Sequence, residues 1–345
     1  MLQERIEPDW LEAFQTVLAQ CGVTAGTTVA VLCESQSRPV LVELARLAAA
    51  RLHAQAYLVQ LNSPNAPPGL PVIRSTGASQ ALAGLAPVVG ALAASELVVD
   101  CTVEGLMHAP ELPQILKGGA RVIYVSNEHP ETLCRLLPNQ TVEQSVKEHI
   151  KRLRGARHMR VTSPFGTDLN IDLQGAVVGG NWGVTHRPGT LTHWPGGLVL
   201  AFPRAGSVQG NLVLAEGDVN LTFKRYLEQA VTLRINDDHI DAIEGQGLDA
   251  ELMRSYMSAW GDRAAYAVSH VGYGLNPAAR WDSMAMLDKR DFNGTELRAF
   301  AGNFLYSTGA NEVAGRHTLG HFDLPMRHCT VYLDEQVVVR DGQLV

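Results

Sequence analysis

Short apolar runs alternate with helix-like stretches over residues 1–157, and this alternation constrains the fold more than any other feature of the sequence. The runs, rich in β-branched residues, are TVAVLC (Thr28–Cys33), AYLVQL (Ala56–Leu61), LVVD (Leu97–Asp100) and RVIYVS (Arg121–Ser126). Helical patterns lie between them, as in Pro39–Leu52 and Pro110–Gly118. Near-continuous apolar strands separated by helices are typical of a parallel sheet that is covered on both faces. We therefore predict an α/β domain built on a parallel sheet.

The pattern changes after a charged helix that we predict over Thr141–Ala156. From residue 158 onward, strands of alternating polarity are joined by turns containing Asp-Asp, Asp-Glu or Glu-Gly, which is the chemistry of β-hairpins. One helix, predicted over Leu248–Gly261, interrupts these strands. We therefore predict two domains, an α/β domain over residues 1–157 and a β-rich α+β domain over residues 158–345.

Several classes of protein are disfavoured by charge and by missing motifs. No GxGxxG follows a predicted strand and no GxxxxGK[ST] occurs, so nucleotide binding is unsupported. The chain has 28 Lys and Arg against 35 Asp and Glu, a net charge of −7, which argues against a nucleic-acid partner. Ala81–Val99 is apolar, but its polar residues and proline favour a buried helix followed by a strand over a membrane span. The first ten residues do not resemble a signal peptide.

The cysteines predict a reducing compartment. There are five, scattered along the chain and without a CxxC pair. An odd number of dispersed cysteines is typical of reduced thiols rather than of a disulfide framework or a thiolate zinc site. We therefore expect a cytoplasmic protein with no membrane association.

Histidines and one aspartate of the second half suggest a metal site. In GHFDLP, residues two apart on a strand share a face, so His321 and Asp323 can bind one ion together. In SHVGYGLNPAARW, His270 stands beside glycines that allow the chain to turn tightly. Two imidazoles and a carboxylate are typical of non-haem Fe(II), but the same ligands can hold zinc with a hydrolytic water. A simple hydrogen-bonded His-Asp pair is the structural alternative.

Longer segments carry a family resemblance over most of the chain. They are LMHAPELPQILKGGARVIYV, THWPGGLVLAFP, SHVGYGLNPAARW, RAFAGNFLYSTG and GHFDLPMRHCTVYLDE. In this order they resemble the 2,5-dihydroxypyridine 5,6-dioxygenases, iron(II) enzymes of nicotinate breakdown. More distantly, the chain resembles the aminopeptidase T metallopeptidases, whose fold those dioxygenases share. The resemblance implies an extradiol-type, Fe(II)-dependent cleavage of a hydroxylated pyridine by O₂, with N-formylmaleamate as the product of 2,5-dihydroxypyridine, and a homo-oligomer.

The resemblance also implies roles for particular residues. They are His270, His321 and Asp323 as metal ligands, His108 and His193 in acid–base catalysis, and Arg298, Ser307 and Asn181 on the substrate side. Asn181 departs from the family pattern, which has a glutamate there. An amide can accept a hydrogen bond but cannot carry a charge or take up a proton, so this departure affects the choice of ring substrate more than the reaction class.

Two other functions remain open from the sequence. A metallo-aminopeptidase with two metal ions needs further carboxylates, and Glu244 is one candidate ligand, but no second glutamate has a comparable context. A non-catalytic binding protein that inherited the fold is the other alternative. The ligand types do not distinguish Fe from Mn or Zn.

Overall fold

The computed structural model describes residues 5–65 and 79–345. The helices are α1 (Pro8–Gln20), α2 (Pro39–Arg51), α3 (Ala86–Ala93), α4 (Leu112–Lys117), α5 (Pro130–Arg135), α6 (Gln140–Gly155), α7 (Leu248–Ala259), α8 (Ser283–Met286) and α9 (Thr295–Ala299). Short 3₁₀ turns cover Arg263–Tyr266, Lys289–Asp291 and Glu312–Ala314.

The strands of the described residues form parallel and antiparallel sheets. In chain order they are β1 (Thr28–Glu34), β2 (Gln55–Leu61), β3 (Leu97–Asp100), β4 (Arg121–Val125), β5 (His158–Thr162), β6 (Asp168–Asp172), β7 (Val177–Asn181), β8 (Leu191–Trp194), β9 (Leu198–Phe202), β10 (Val208–Leu214), β11 (Val219–Asn220), β12 (Arg225–Tyr226), β13 (Val231–Asn236), β14 (His239–Glu244), β15 (Val268–Gly274), β16 (Phe304–Thr308), β17 (Phe322–Met326), β18 (Thr330–Leu333), β19 (Gln336–Arg340) and β20 (Gln343–Leu344).

The first sheet is parallel, as predicted, with the strand order β2-β1-β3-β4-β8. Alternate side chains of β1 enter two separate cores, because successive residues of a strand point to opposite faces. Val29 and Val31 pack with α1 and α2, whereas Ala30 and Leu32 pack with α3 and α4. Burial on both faces explains why β1 reads as a continuous apolar run.

The stretch Ala81–Val99 contains a helix and a strand, but the helix is shorter and more exposed than predicted. It spans only α3, and within it only Val89 and Leu92 are buried. Its small residues can cover the sheet with one face while the other face lies in solvent. None of the helices described is long and apolar enough to cross a membrane.

Strand β8 lies after the predicted domain boundary at residues 157 and 158, but it belongs to the sheet of the first domain. It pairs in parallel with β4, with Leu191 opposite Val122 and Trp194 opposite Val125. Trp194 is fully buried in the core of the first sheet, where its ring meets Phe14 edge-on. A strand from the second half of the chain therefore completes the sheet of the first half.

The second half forms two large antiparallel sheets, one ordered β14-β13-β10-β6-β5-β18-β19-β20 and the other β17-β16-β15-β9-β7, and the small two-stranded sheet β11-β12. The two large sheets pack against each other. They share a core that also contains apolar side chains of α6 and α7. The predicted Asp-rich turns are present, since Asp238, Asp334 and Asp341 have φ values of 71°, 51° and 46°. Aspartate is one of the few residues that tolerate this left-handed conformation.

Candidate active site

The site lies where the ends of β3, β4 and β8 meet the five-stranded antiparallel sheet. Three imidazoles converge there, from His108 on the loop after β3, His270 on β15 and His321 just before β17. Their nitrogen atoms lie within 4.8 Å of one another, with His108 partly buried and the other two buried. Among the residues that the structure describes, this is the group with the geometry of a metal site.

The position of His108 depends on how the loop after β3 is folded. The buried carboxylate of Asp100 accepts hydrogen bonds from the backbone nitrogens of Thr102 (2.9 Å) and Leu106 (2.8 Å). Gly105 has a φ of +77°, and a Cβ there would lie 3.1 Å from the ring of Tyr124. A glycine is therefore needed at the bend that brings His108 to the cluster.

Asp323 lies against two of the imidazoles. Its Oδ1 atom is 3.2 Å from Nε2 of His321 and 3.7 Å from Nε2 of His270. The hydroxyl of Ser307, directly opposite on β16, donates to Oδ1, and Nε of Arg298 donates to Oδ2. The predicted ligands His270, His321 and Asp323 are thus brought together, with Ser307 and Arg298 holding the carboxylate.

The protonation states suit metal ligands. Burial lowers the pKa of His270 to about 3 and, with the neighbouring His321, lowers the pKa of His108 to about 3. Burial raises the pKa of Asp323, but His321 and Arg298 outweigh it and hold that pKa well below the usual range. Neutral imidazoles beside an ionised carboxylate are the forms that bind a metal ion.

A serine determines which nitrogen of His270 faces the cluster. The hydroxyl of Ser269 donates to the carbonyl of Ala310 (2.6 Å), so its oxygen accepts from Nδ1 of His270 (3.1 Å). The proton therefore lies on Nδ1, and the lone pair of Nε2 is left toward Asp323. Such a contact to the distal nitrogen orients a histidine ligand.

The side-chain amide of Asn181 forms its hydrogen bonds with His193 and neighbouring residues. Its Oδ1 accepts from the backbone nitrogens of Gly183 (3.0 Å) and His193 (3.3 Å), and also from the hydroxyl of Thr192. Its Nδ2 donates to the carbonyl of His193 (2.8 Å) and lies 2.6 Å from Nδ1 of that ring. Burial lowers the pKa of His193 to about 4, so the ring is neutral near pH 7.

The imidazole cluster opens into a cavity of about 760 Å³. Of the residues predicted for the site, His108, His193, His270, Arg298, His321 and Asp323 line this cavity. Asn181 and Ser307 do not line it, since their polar groups are turned to His193 and Asp323. The cavity also has an apolar wall that includes Leu198, Leu200, Leu221, Phe223, Phe292 and Leu305.

Sequence reasoning missed two polar residues at this site. Lys224 lines the cavity from the end of the β11–β12 connection. Glu128 lies behind it, fully buried, and accepts three backbone N–H groups at 2.8 Å from residues 293–295. Neither residue belongs to a motif, so only the folded structure shows that Lys224 lines the cavity and that Glu128 binds the backbone before Arg298.

The ligand suggested for a two-metal peptidase lies elsewhere. Glu244 is exposed on the edge strand β14, where it pairs with Arg234 at 2.5 Å. It is outside the group of residues that could hold a metal ion. That part of the peptidase hypothesis is wrong, because β14 lies at the far edge of the eight-stranded sheet.

Comparison with solved structures defines the class of protein. Wild-type AmpT from Thermus thermophilus, an aminopeptidase T, superposes with a TM-score of 0.62 at 14% identity, covering 98% of this chain and 99% of that one. At this identity the likeness shows the fold alone. The chain is therefore an α/β protein of the aminopeptidase T fold, with its candidate metal site at the edge of the parallel sheet.

Sequence comparison then shows the family. The model of the 2,5-dihydroxypyridine 5,6-dioxygenase family matches residues 9–345. The 2,5-dihydroxypyridine 5,6-dioxygenase of Pseudomonas putida KT2440 is 39% identical over 337 residues, 97% of this chain and 95% of that protein. The solved structure of the dioxygenase from that strain has a TM-score of 0.91 at 38% identity, covering 97% and 96% of the two chains. The chain belongs to this family and is a dioxygenase, as the sequence predicted.

Proposed function

We propose that this protein is an Fe(II)-dependent dioxygenase that opens the ring of 2,5-dihydroxypyridine with O₂ to give N-formylmaleamate. The observation that carries the proposal is the buried group of imidazoles and one carboxylate facing a cavity, in a chain of this family. The cavity is of a size that accepts a small organic ring, and its apolar wall suits an aromatic face.

His270, His321 and Asp323 are the proposed ligands. Two imidazoles and a carboxylate form the donor set that non-haem Fe(II) prefers. Ser269 forms a hydrogen bond with His270, and Ser307 and Arg298 form hydrogen bonds with Asp323. These contacts fix the orientation of two of the proposed ligands. When bound, Fe(II) supplies the redox chemistry by which O₂ reacts with an electron-rich ring.

His108 and His193 are the proposed acid–base groups. Both line the cavity and burial keeps both imidazoles neutral, so either can accept a proton from a ring hydroxyl and return it to the product. Nδ1 of His193 lies against the amide of Asn181 and the carbonyl of Pro195, which leaves Nε2 for the exchange. Arg298 also faces the cavity, and a guanidinium can bind an anionic ring oxygen.

The proposal includes a reduced, cytoplasmic homo-oligomer. The five cysteines are free thiols, and burial raises the pKa of Cys21 to about 11, which keeps it in the unreactive thiol form. Oligomerisation rests on the family resemblance.

Oxygen uptake by the Fe(II)-reconstituted protein tests this function. With 2,5-dihydroxypyridine we expect one O₂ to be consumed for each ring that is lost. The loss of the ring is measured by the decrease in its absorbance. His321→Ala removes a ligand and should abolish uptake, while Lys151→Met, on the exposed face of α6, should leave it unchanged. No uptake with any dihydroxypyridine, together with amino acids released from short peptides, would overturn the proposal.

A further inference from the structure

One side of the cavity is basic although the chain as a whole is acidic. Lys224, Lys289 and Arg290 line it there, from the β11–β12 connection and from the 3₁₀ turn before α9. The lining carboxylates are Glu104 and Asp323, and the latter is already held by Arg298 and Ser307. Among the residues described, and with Arg298 included, four cationic side chains line the cavity against two carboxylates, and Arg290 also lies 4.0 Å from Asp288.

Of these three cationic side chains, Lys224 is the least exposed to solvent. It is half-buried, and burial lowers its pKa, since an ammonium ion loses hydration there. Its Nζ donates to the carbonyl of Lys289 at 2.5 Å, and no carboxylate of the described ranges 5–65 and 79–345 lies within ion-pair distance of it. An ammonium has three donors, and a partly desolvated cation needs an anionic partner to be stable.

The other charges around Lys224 are already engaged. Asp291 pairs with Arg38, and Glu128 accepts backbone N–H groups. Lys289 adds a second positive charge nearby. Glu128 and Asp291 lie close enough to raise the pKa of Lys224, but no ion pair joins either of them to it, so a carboxylate on a ligand in the cavity would be a direct partner for its ammonium group.

One loop connects Lys224 with the proposed metal site. The carbonyl of Lys289 accepts a hydrogen bond from Nζ of Lys224. Four residues later, the carbonyl of Asn293 accepts a hydrogen bond of 3.4 Å from Nη1 of Arg298. Arg298 in turn holds Asp323. The basic side therefore borders the place where the ring is proposed to bind, in a cavity whose 760 Å³ leaves room beyond one small ring.

We propose that the preferred ring substrate of this enzyme carries a carboxylate substituent, which Lys224 binds. This inference rests on the proposed function, because it assumes that a dihydroxypyridine occupies the cavity. The cleaved bond joins C5 and C6 and the hydroxyls are on C2 and C5, so the substituent is placed on C3 or C4.

Steady-state kinetics of the Fe(II)-loaded enzyme test the inference. The substrates are 2,5-dihydroxypyridine and its 3-carboxylate and 4-carboxylate derivatives, each followed by O₂ uptake. We expect kcat/KM for one carboxylate to exceed that of the parent ring by about tenfold or more, the size of one charge-assisted hydrogen bond. Lys224→Met should remove this preference, Lys224→Arg should retain much of it, and the matched control Lys151→Met should not change it.

Each result decides between the hypotheses. A wild-type enzyme that prefers the unsubstituted ring over both carboxylates would overturn this inference and leave the proposed function standing. A preference that survives in Lys224→Met would overturn the assignment to Lys224. Absence of turnover with all three rings would instead overturn the proposed function itself. The wild-type comparison is decisive even if a Lys224 variant fails to fold.

Discussion

At the scale of single residues, Asp323 is the residue that most of the other site residues contact. Both of its oxygens accept hydrogen bonds from side chains of other elements, and Oδ1 also faces His270 and His321. The HxD spacing predicted that His321 and Asp323 share a face, because the period of a strand is two. It did not predict Ser307 as the partner of the carboxylate, since that depends on the register between β16 and β17.

Ser307→Ala should weaken Fe(II) binding by about ten- to a hundredfold, the usual cost of losing a contact that orients a ligand. The reason is that Oδ1 of Asp323 loses its hydroxyl donor. The measurement is competition for Fe(II) with a chelator of known affinity. Ser258→Ala, on the exposed side of α7, is the control. Unchanged affinity in Ser307→Ala would contradict the proposed ligand role of Asp323.

Asn181→Asp should shift the acidic limb of the kcat/KM profile to higher pH. A carboxylate next to Nδ1 of His193 stabilises the imidazolium and raises its pKa from about 4. The neutral form, which accepts the proton, is then lost at a higher pH as the solution is acidified. pH profiles of the wild type and the variant measure the shift, and identical profiles would argue against His193 as the base.

At the scale of elements, α9 is held in place by the first half of the chain. Glu128, which follows β4, accepts hydrogen bonds from the backbone N–H groups of residues 293–295. Arg135, on α5, forms an ion pair with Glu296 of α9. Gly294 has a φ of +95°, which favours glycine at the start of the helix. This anchoring positions Arg298 toward Asp323, and no local pattern in the sequence indicates it.

Glu128→Gln should lower the free energy of unfolding by about 1–3 kcal/mol, because an amide cannot replace a carboxylate that accepts three N–H groups. We also expect lower kcat/KM, since Arg298 loses its fixed position. Urea denaturation and O₂ uptake measure the two effects. The control is Glu131→Gln, an exposed residue of α5. Equal stability and activity of Glu128→Gln and wild type would show that α9 does not depend on this anchor.

At the scale of the whole molecule, the site is assembled from both halves of the chain. His108 lies on the loop after β3 of the parallel sheet, whereas His270 is on β15 and His321 lies just before β17 of the antiparallel sheet. The proposed metal ligands all lie on or immediately before strands of the antiparallel sheet, and a metal ion that binds them only in the folded state would stabilise that state.

Anaerobic Fe(II) at a hundred times its Kd should raise the free energy of unfolding by about 2.7 kcal/mol. His321→Ala should lose this stabilisation, because a ligand is missing. Denaturation with and without a chelator measures the difference. A wild-type unfolding curve that does not respond to Fe(II) would contradict the metal site.

The sequence by itself determined the elements and the kind of chemistry. Apolar runs and periodicity are local properties, so they predicted the parallel strands, the hairpins, and His321 and Asp323 on one face. Tertiary structure alone decided that β8 joins the first sheet, that Asn181 faces His193, and that Lys224 lines the cavity. These contacts join segments far apart in the chain, and their geometry depends on how sheets and loops pack in space, which no local pattern specifies.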